Sequence, residues 1–404
     1  MKVRIYNSDV ELISKLFVAE NASVSIHDPV WRIKQITGAK KYDQMESPDV
    51  LVNTSSYLVK EDIHFEYFDY VIDFSSTKPD MFLSAGYEME ELNFINNPDR
   101  TMRWIFPGSL ETPTFLNFYN SANRKARWYS KIIRKAFKLG VSRIFNSGKF
   151  RIYYRKPLRI DALTSGVAFD NYSIFTGTVG PNRKMIMELN SDHSTTHFVK
   201  IPLNNESREL LNNELRSLET LKQKELKSFV YPDSLTNSDP SGILSNIKPS
   251  NALQLDALSG KHLQMFEELY SKTAKWVSLS SAVFYKSARQ NISKLSIASR
   301  FDESWSIYRS LKAISDNIVH DGKFIPLAMS HSDFTPWNTY ASEDKIYVYD
   351  WEFSKSNTPM LFDLFHFVFQ SGVLLKRQDY AEIKSEIDIA LSHPICRKMI
   401  ERYE

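Results

Sequence analysis

The sequence predicts an α+β protein in which a small α/β domain precedes a β-rich lobe and a larger helical lobe. Three observations predict it. Short apolar strand candidates alternate with a helix in the first hundred residues, two alternating runs at residues 172–175 and 184–189 flank a glycine-containing turn, and helical periodicity dominates beyond residue 250. The expected boundaries are 1–100 for the α/β domain, 101–165 for a basic aromatic connecting segment, 166–250 for the small lobe and 251–404 for the large one.

A chain of 404 residues has room for two or three domains. Hydrophobic residues make up 42% and charged residues 25%, the balance of a globular protein able to bury a core. The formal charge of +3 says little about partners, although its distribution does. Cys396 stands alone, so no intrachain disulfide forms, and no Cys/His cluster has zinc-ligand spacing. The first residues lack an uninterrupted apolar stretch and no segment has the length of a spanning helix, from which a cytoplasmic protein, peripheral to a membrane at most, is expected.

In the first hundred residues, Ser8 or Asp9 can cap a helix carrying Val10, Ile13, Leu16 and Phe17. Strands are expected at residues 22–27, 50–53 and 68–74. A dinucleotide site with Asp28 on a ribose would need a glycine-rich turn after the first strand, and no glycine precedes Gly38. A structural or docking domain is the expectation.

Residues 103–119 are apolar and aromatic, with Pro107 and Pro113 breaking any long element. Residues 124–156 are strongly basic, and no Asp or Glu occurs between Thr112 and Arg159. Within them Trp128, Ile132, Ile133, Ala136, Phe137 and Leu139 have helical spacing, giving a basic amphipathic helix that ends near Gly140. It is either the solvated face of a packed helix or a surface for an anionic membrane or glycan. No nucleic-acid-binding module accompanies the charge, so nucleic acid is not an expected partner.

The turn between the two alternating runs holds Gly177 and Gly180, whose backbone N–H groups could approach phosphates closely, as any turn glycine could. Lys200 follows in the strand HFVKI, where a lysine between Val199 and Ile201 must find a carboxylate or a phosphate. Glu214 lies on the next helix, with Glu209 and Glu206 as rival partners, because sequence does not fix the helix phase. The bland alternative has Lys200 snorkelling from an edge strand and Glu214 on the surface. Residues 277–302 are serine-rich and poorly periodic, between helical patterns at 262–276 and 305–319.

The stretch HSDFTPWN supplies His331, Asp333 and Asn338, and after the apolar run from Lys345 come Asp350, Trp351 and Glu352. An Asp that accepts a hydroxyl proton, an Asn five residues on and a further Asp after a strand match the order H-x-D-x-x-x-x-N and Asp of phosphoryl transfer. Ser332 replaces the Arg of protein kinases, Asp350-Trp351-Glu352 stands for Asp-Phe-Gly, and Pro359 and Asp363-Leu364 follow.

With these residues the chain resembles the aminoglycoside phosphotransferase and choline kinase group over residues 170–375. The resemblance implies a bilobal protein-kinase-like fold and transfer of a phosphoryl group from ATP, with magnesium, to a hydroxyl of a small molecule. It makes Asp333 the catalytic base, Asn338 and Asp350 the metal ligands, and Gly177, Gly180, Lys200 and Glu214 the nucleotide-binding set, with Lys200 and Glu214 as an ion pair. By position, residues 247–252 become the hinge that holds adenine, Asp363 braces the catalytic loop, and Glu352 is an outer-shell group or a loop acid. The expected acceptor is a sugar, polyol or lipid-linked glycan. A different class of reading is a catalytically weak kinase-like scaffold at the membrane surface.

Overall fold

The computed structural model describes residues 5–19, 22, 24–27, 33–34, 40–41, 50–54, 68–75, 80–116, 124–235, 241–298, 304–318, 323–343 and 345–403. Asp28 and Gly38, and so the dinucleotide reading that weighed them, lie outside these residues. The chain is α+β and divides into two compact units, Met1–Leu211 with Ser234–Asn246, and Asn212–Asp233 with Ile247–Glu404.

The first unit is built on one sheet of twelve strands among the described residues. At one end Lys40–Lys41, Val24–His27, Val50–Asn53 and Tyr70–Asp73 run parallel. Every residue of Val50–Asn53 and Tyr70–Asp73 is buried, as strands covered on both faces require. The helix Asn7–Phe17 packs Val10, Ile13, Leu16 and Phe17 into the core with these strands. Neither expected residue caps it. Tyr6 holds the cap position, and Asp9, in the first turn, accepts the Met102 N–H at 3.1 Å; burial pushes this carboxyl up to about 6.

The sheet continues without interruption through Gly148–Tyr154, Glu88–Asn96 and Met102–Pro107 into Asn171–Phe175, Lys184–Ser191, Ser194–Pro202, Gly242–Ser245 and Ser234–Leu235. The strands after residue 170 form an antiparallel meander joined to the rest where Ile174 pairs with Ile105 and Phe175 with Trp104. Helix Asn205–Gln223 follows the lysine-bearing strand, the order that the motif resemblance implied.

The basic helix spans Arg124–Lys138 and buries Ile133, Ala136 and Phe137, with Ile133 and Phe137 in one cluster with Phe106 and Phe115. Trp128 and Leu139, read with the packing face, are instead 69% and 73% exposed. At 3.6 residues per turn Trp128 sits about 140° around the helix from Ile133, too far to share its stripe, and Leu139 lies in the turn beyond the last helical residue.

Glu188, on the strand Lys184–Ser191, is buried, and burial raises its carboxyl from 4.5 to about 8 against hydrogen bonding and the pull of Arg134. From about pH 5 to about pH 8 the unfolded chain releases this proton while the folded chain keeps it, so the group withdraws stability as pH rises, at about 1.4 kcal/mol per pKa unit. Glu188→Gln is expected to raise the melting temperature relative to the parent much more at the upper end of that window than at the lower. Equal shifts at both ends would contradict it.

In the second unit, Lys275–Ser278, Phe324–Ser330 and Lys355–Pro359 form one small sheet, and Phe229–Val230, Ile346–Val348 and Thr339–Ala341 another. Gly260–Thr273, Val283–Ala298, Ser304–Ile318, Phe362–Gln370, Tyr380–Ser392 and Pro394–Tyr403 are helices. The helix read to residue 276 ends at Thr273, and the stretch read as poorly periodic holds the end of the strand Lys275–Ser278 and the helix Val283–Ala298. Its buried cluster draws on Leu279, Ala282 and Tyr285 at the start of that stretch. Further along, Ile292 is only half-buried and Leu295 is exposed, so few of the described side chains beyond Tyr285 are packed.

Candidate active site

The strand Phe324–Ser330 ends with Ser330 buried and delivers the chain into the loop from His331. Ser332 takes a left-handed conformation at φ 65°, which turns the backbone N–H groups of His331 and Ser332 toward Asp363; its two carboxylate oxygens accept them at 2.8 Å each. Asp363 is fully buried, and burial raises its pKa against the pull of His331 and these two donors. It braces the loop from the first turn of the helix Phe362–Gln370, as the resemblance implied.

His331 serves the geometry of the loop. Its Nδ1 accepts the Asp333 N–H at 3.3 Å, so its Nε2 carries the hydrogen and donates to the Tyr349 carbonyl at 2.7 Å. The ring lies 4.7 Å from the buried Trp351 indole, whose Nε1 donates to the Val348 carbonyl. The loop is therefore tied to the segment that carries Asp350.

Asp333 and Asn338 come together. The Asn338 amide donates to the Asp333 carbonyl and to its Oδ2, both at 3.0 Å. That use of the N–H2 group leaves the Asn338 Oδ1 as the atom that could face a cation. The other carboxylate oxygen of Asp333, Oδ1, lies 3.3 Å from Nε2 of His366. His366 was missed in sequence. The signal was present, because His366 is three residues after Asp363 and three-residue spacing puts both on one helix face. Phe362 stacks on its imidazole, with ring centroids 6.0 Å apart.

Glu214, Asp350 and Glu352 each place a carboxylate oxygen within 4.8 Å of the others, with Glu214 and Glu352 buried. Asp350 adopts φ 65°, a conformation Asp tolerates better than most residues, and the turn Trp351–Phe353 then brings Glu352 inward. Asn213, next to Glu214, donates to the carbonyls of Glu352 and Ser354 at 2.8 and 2.9 Å and clamps this turn to the helix. Three carboxylates this close repel unless a cation or protons intervene, and an all-oxygen donor set suits magnesium. The residues fit the expected metal, with Glu352 and Glu214 closer to Asp350 than their sequence roles as loop acid and lysine partner suggested.

The first unit holds the rest of the expected set. Gly177 has φ 81°, and a Cβ there would lie 2.1 Å from the Lys184 carbonyl oxygen, so only glycine fits. Gly180 has open space around it and no such requirement. Lys200 is buried, paired with Ile186 on one side and Gly242 on the other, which removes the edge-strand alternative. In the second unit, the backbone N–H groups of Ile247 and Lys248, within the expected hinge, both donate to the Tyr349 hydroxyl, at 3.0 and 2.7 Å.

No protein family matches the chain, and neither does any curated protein. Among solved structures it is similar to the streptomycin–ATP–APH(2'')-IIa ternary complex, at 14% identity over 60% of this chain and 93% of that one, with a TM-score of 0.37. It is also similar to macrolide 2'-phosphotransferase MphH from Brachybacterium faecium, at 13% identity over 53% and 75% and a TM-score of 0.37. Choline kinase LicA from Streptococcus pneumoniae gives 17% identity over 57% and 78% and a TM-score of 0.35. These are enzymes of the group that the motif residues resemble.

Proposed function

We propose that this protein is a small-molecule kinase that transfers the γ-phosphoryl group of ATP to a hydroxyl. The observation that carries the reading is the Asp333 carboxylate, oriented through Asn338 and His366 on a loop whose backbone is pinned by Asp363. Asp333 orients the acceptor hydroxyl and takes its proton as the oxygen forms its bond to phosphorus. In a loose transition state the proton leaves late, so a carboxylate placed at the hydroxyl suffices. Asp350, Glu352, Glu214 and the Asn338 Oδ1 would hold magnesium, which supplies charge neutralisation at the phosphates. Lys200 and the turn at Gly177 and Gly180 would hold the nucleotide phosphates, with a Lys200–Glu214 pair as part of the proposal.

For the acceptor we propose a sugar or glycan precursor, on the strength of the motif resemblance and the basic aromatic segment. The test is acceptor-dependent ADP release across sugars, polyols, nucleotide-linked and lipid-linked sugars, with choline and aminoglycosides as competitors for the assignment. Release with choline alone would overturn the sugar acceptor and keep the kinase; release with none would count against the kinase.

A specific observation also favours contact with an anionic membrane surface through residues 124–156. Exposed Trp128, Leu139, Val141 and Ile144 lie among exposed Lys131, Arg134, Lys135 and Lys138, the mixture of apolar anchors and cations that interfacial segments use. Among the described residues no helix is long and apolar enough to cross a membrane. Full-length protein is expected to co-sediment with phosphatidylglycerol vesicles and not with phosphatidylcholine vesicles, and Trp128→Ser with Ile144→Ser is expected to weaken this at least tenfold. Sedimentation unchanged by the double substitution would reject the surface.

A further inference from the structure

We propose that the first unit carries a second small-molecule site, which takes a neutral polyhydroxylated ligand about the size of one sugar ring. The site is a cavity of about 190 Å³ lined by Ser109, Thr114, Asp170, Asn190, Asp192 and His193 among others. Asn190 is the penultimate residue of the strand Lys184–Ser191; Asp192 and His193, at φ 49° and 61°, turn the chain back into Ser194–Pro202. The surrounding backbone is fixed, since the Asp170 N–H donates to the Asn190 carbonyl at 2.8 Å and the Asp170 carboxylate accepts the Asp192 N–H at 3.0 Å.

The Asn190 side chain is the exception to this order. The residue is only 3% exposed, yet neither its Oδ1 nor its Nδ2 has a partner among the described residues. Buried amides are almost always hydrogen-bonded, so this one points to a ligand with complementary groups. Its chemistry selects the class. An ammonium can only donate and would leave the Nδ2 donors unmatched, while an anion would leave Oδ1 unmatched and meet the carboxylates of Glu111, Asp170 and Asp192. Neighbouring hydroxyls satisfy both atoms at once, one accepting from Nδ2 and the next donating to Oδ1, and further hydroxyls can donate to those carboxylates.

Size agrees. Sites for drug-sized ligands run to about 300–1,000 Å³ and a water takes about 30 Å³, so this cavity suits a single ring. The site is also separate from the expected nucleotide residues of the same unit. Asn190 pairs with Thr195, and Lys200 lies five residues further along that strand, about 17 Å away at about 3.3 Å per residue. The proposal therefore does not rest on the phosphotransfer reading.

The test follows the side-chain N–H2 resonance of Asn190 in full-length protein labelled with ¹⁵N-asparagine, identified by its loss in Asn190→Leu and in the isosteric Asn190→Asp. Glucose, galactose, mannose, N-acetylglucosamine and glycerol are titrated to tens of millimolar, with choline chloride and sodium phosphate as the cationic and anionic probes. At least one neutral polyol is expected to shift this resonance saturably. Its affinity, read by saturation-transfer signals of the sugar, is expected to fall at least tenfold in Asn190→Asp. No shift with any polyol, a shift with choline or phosphate alone, or undiminished binding in Asn190→Asp would each overturn the proposal. The first of these outcomes would mean that water alone fills the cavity.

Discussion

Asp333→Asn is expected to reduce turnover by about a hundredfold to ten-thousandfold, the usual contribution of a positioned general base, while leaving ATP affinity nearly unchanged. The substitution keeps the size of the side chain and the packing of a loop whose backbone is held by Asp363 and not by Asp333. The loss should therefore fall on kcat. The measurement is steady-state ADP release with the acceptor found in the screen, alongside nucleotide affinity by calorimetry. Hydroxyl-dependent ATP consumption retained at the parent rate would remove Asp333 from its role, and a variant that no longer binds nucleotide would show that the side chain supports the site's shape instead.

The second large effect is at Asp350, and its two halves have opposite sign. With EDTA present, Asp350→Asn is expected to melt higher than the parent, because it removes one of three carboxylates held within 4.8 Å of one another. With magnesium and ATP the order reverses. Ligands at about one hundred times their dissociation constants stabilise the parent by about 2.7 kcal/mol, and the variant should lose most of that increment together with its turnover. Equal magnesium-dependent shifts in both proteins would show that Asp350 is not a ligand. No nucleotide-dependent shift in the parent would favour the scaffold reading over the kinase.

The loop from His331 was legible because its information is local. His331, Asp333 and Asn338 lie within eight residues of one another, and the family resemblance implied the brace from Asp363. Glu352 was not legible as a neighbour of Glu214, since their approach depends on the left-handed backbone of Asp350 and on the clamp from Asn213, neither of which leaves a periodic trace. His366 was passed over for a related reason, since its spacing from Asp363 is visible but the role of a histidine in the run LFHFVF depends on what its helix faces. The α+β class followed from pattern, but strand order did not. Nothing in the runs at residues 102–107 and 171–175 announces that they are neighbours in one sheet. The helix Val283–Ala298 was lost among serines because so little of it is buried.

The joining of Met102–Pro107 to Asn171–Phe175 bears on how the protein can be handled and how it came to be assembled. Cutting the chain ahead of residue 166 to keep only the motif-bearing part would strip Asn171–Phe175 of its neighbour and leave an open row of backbone donors and acceptors beside the apolar side chains of Ile174 and Phe175. The N-terminal stretch is thus a folding partner of the lysine-bearing meander and not a passenger fused to it. Any ancestor that lacked this stretch must have protected that edge in another way.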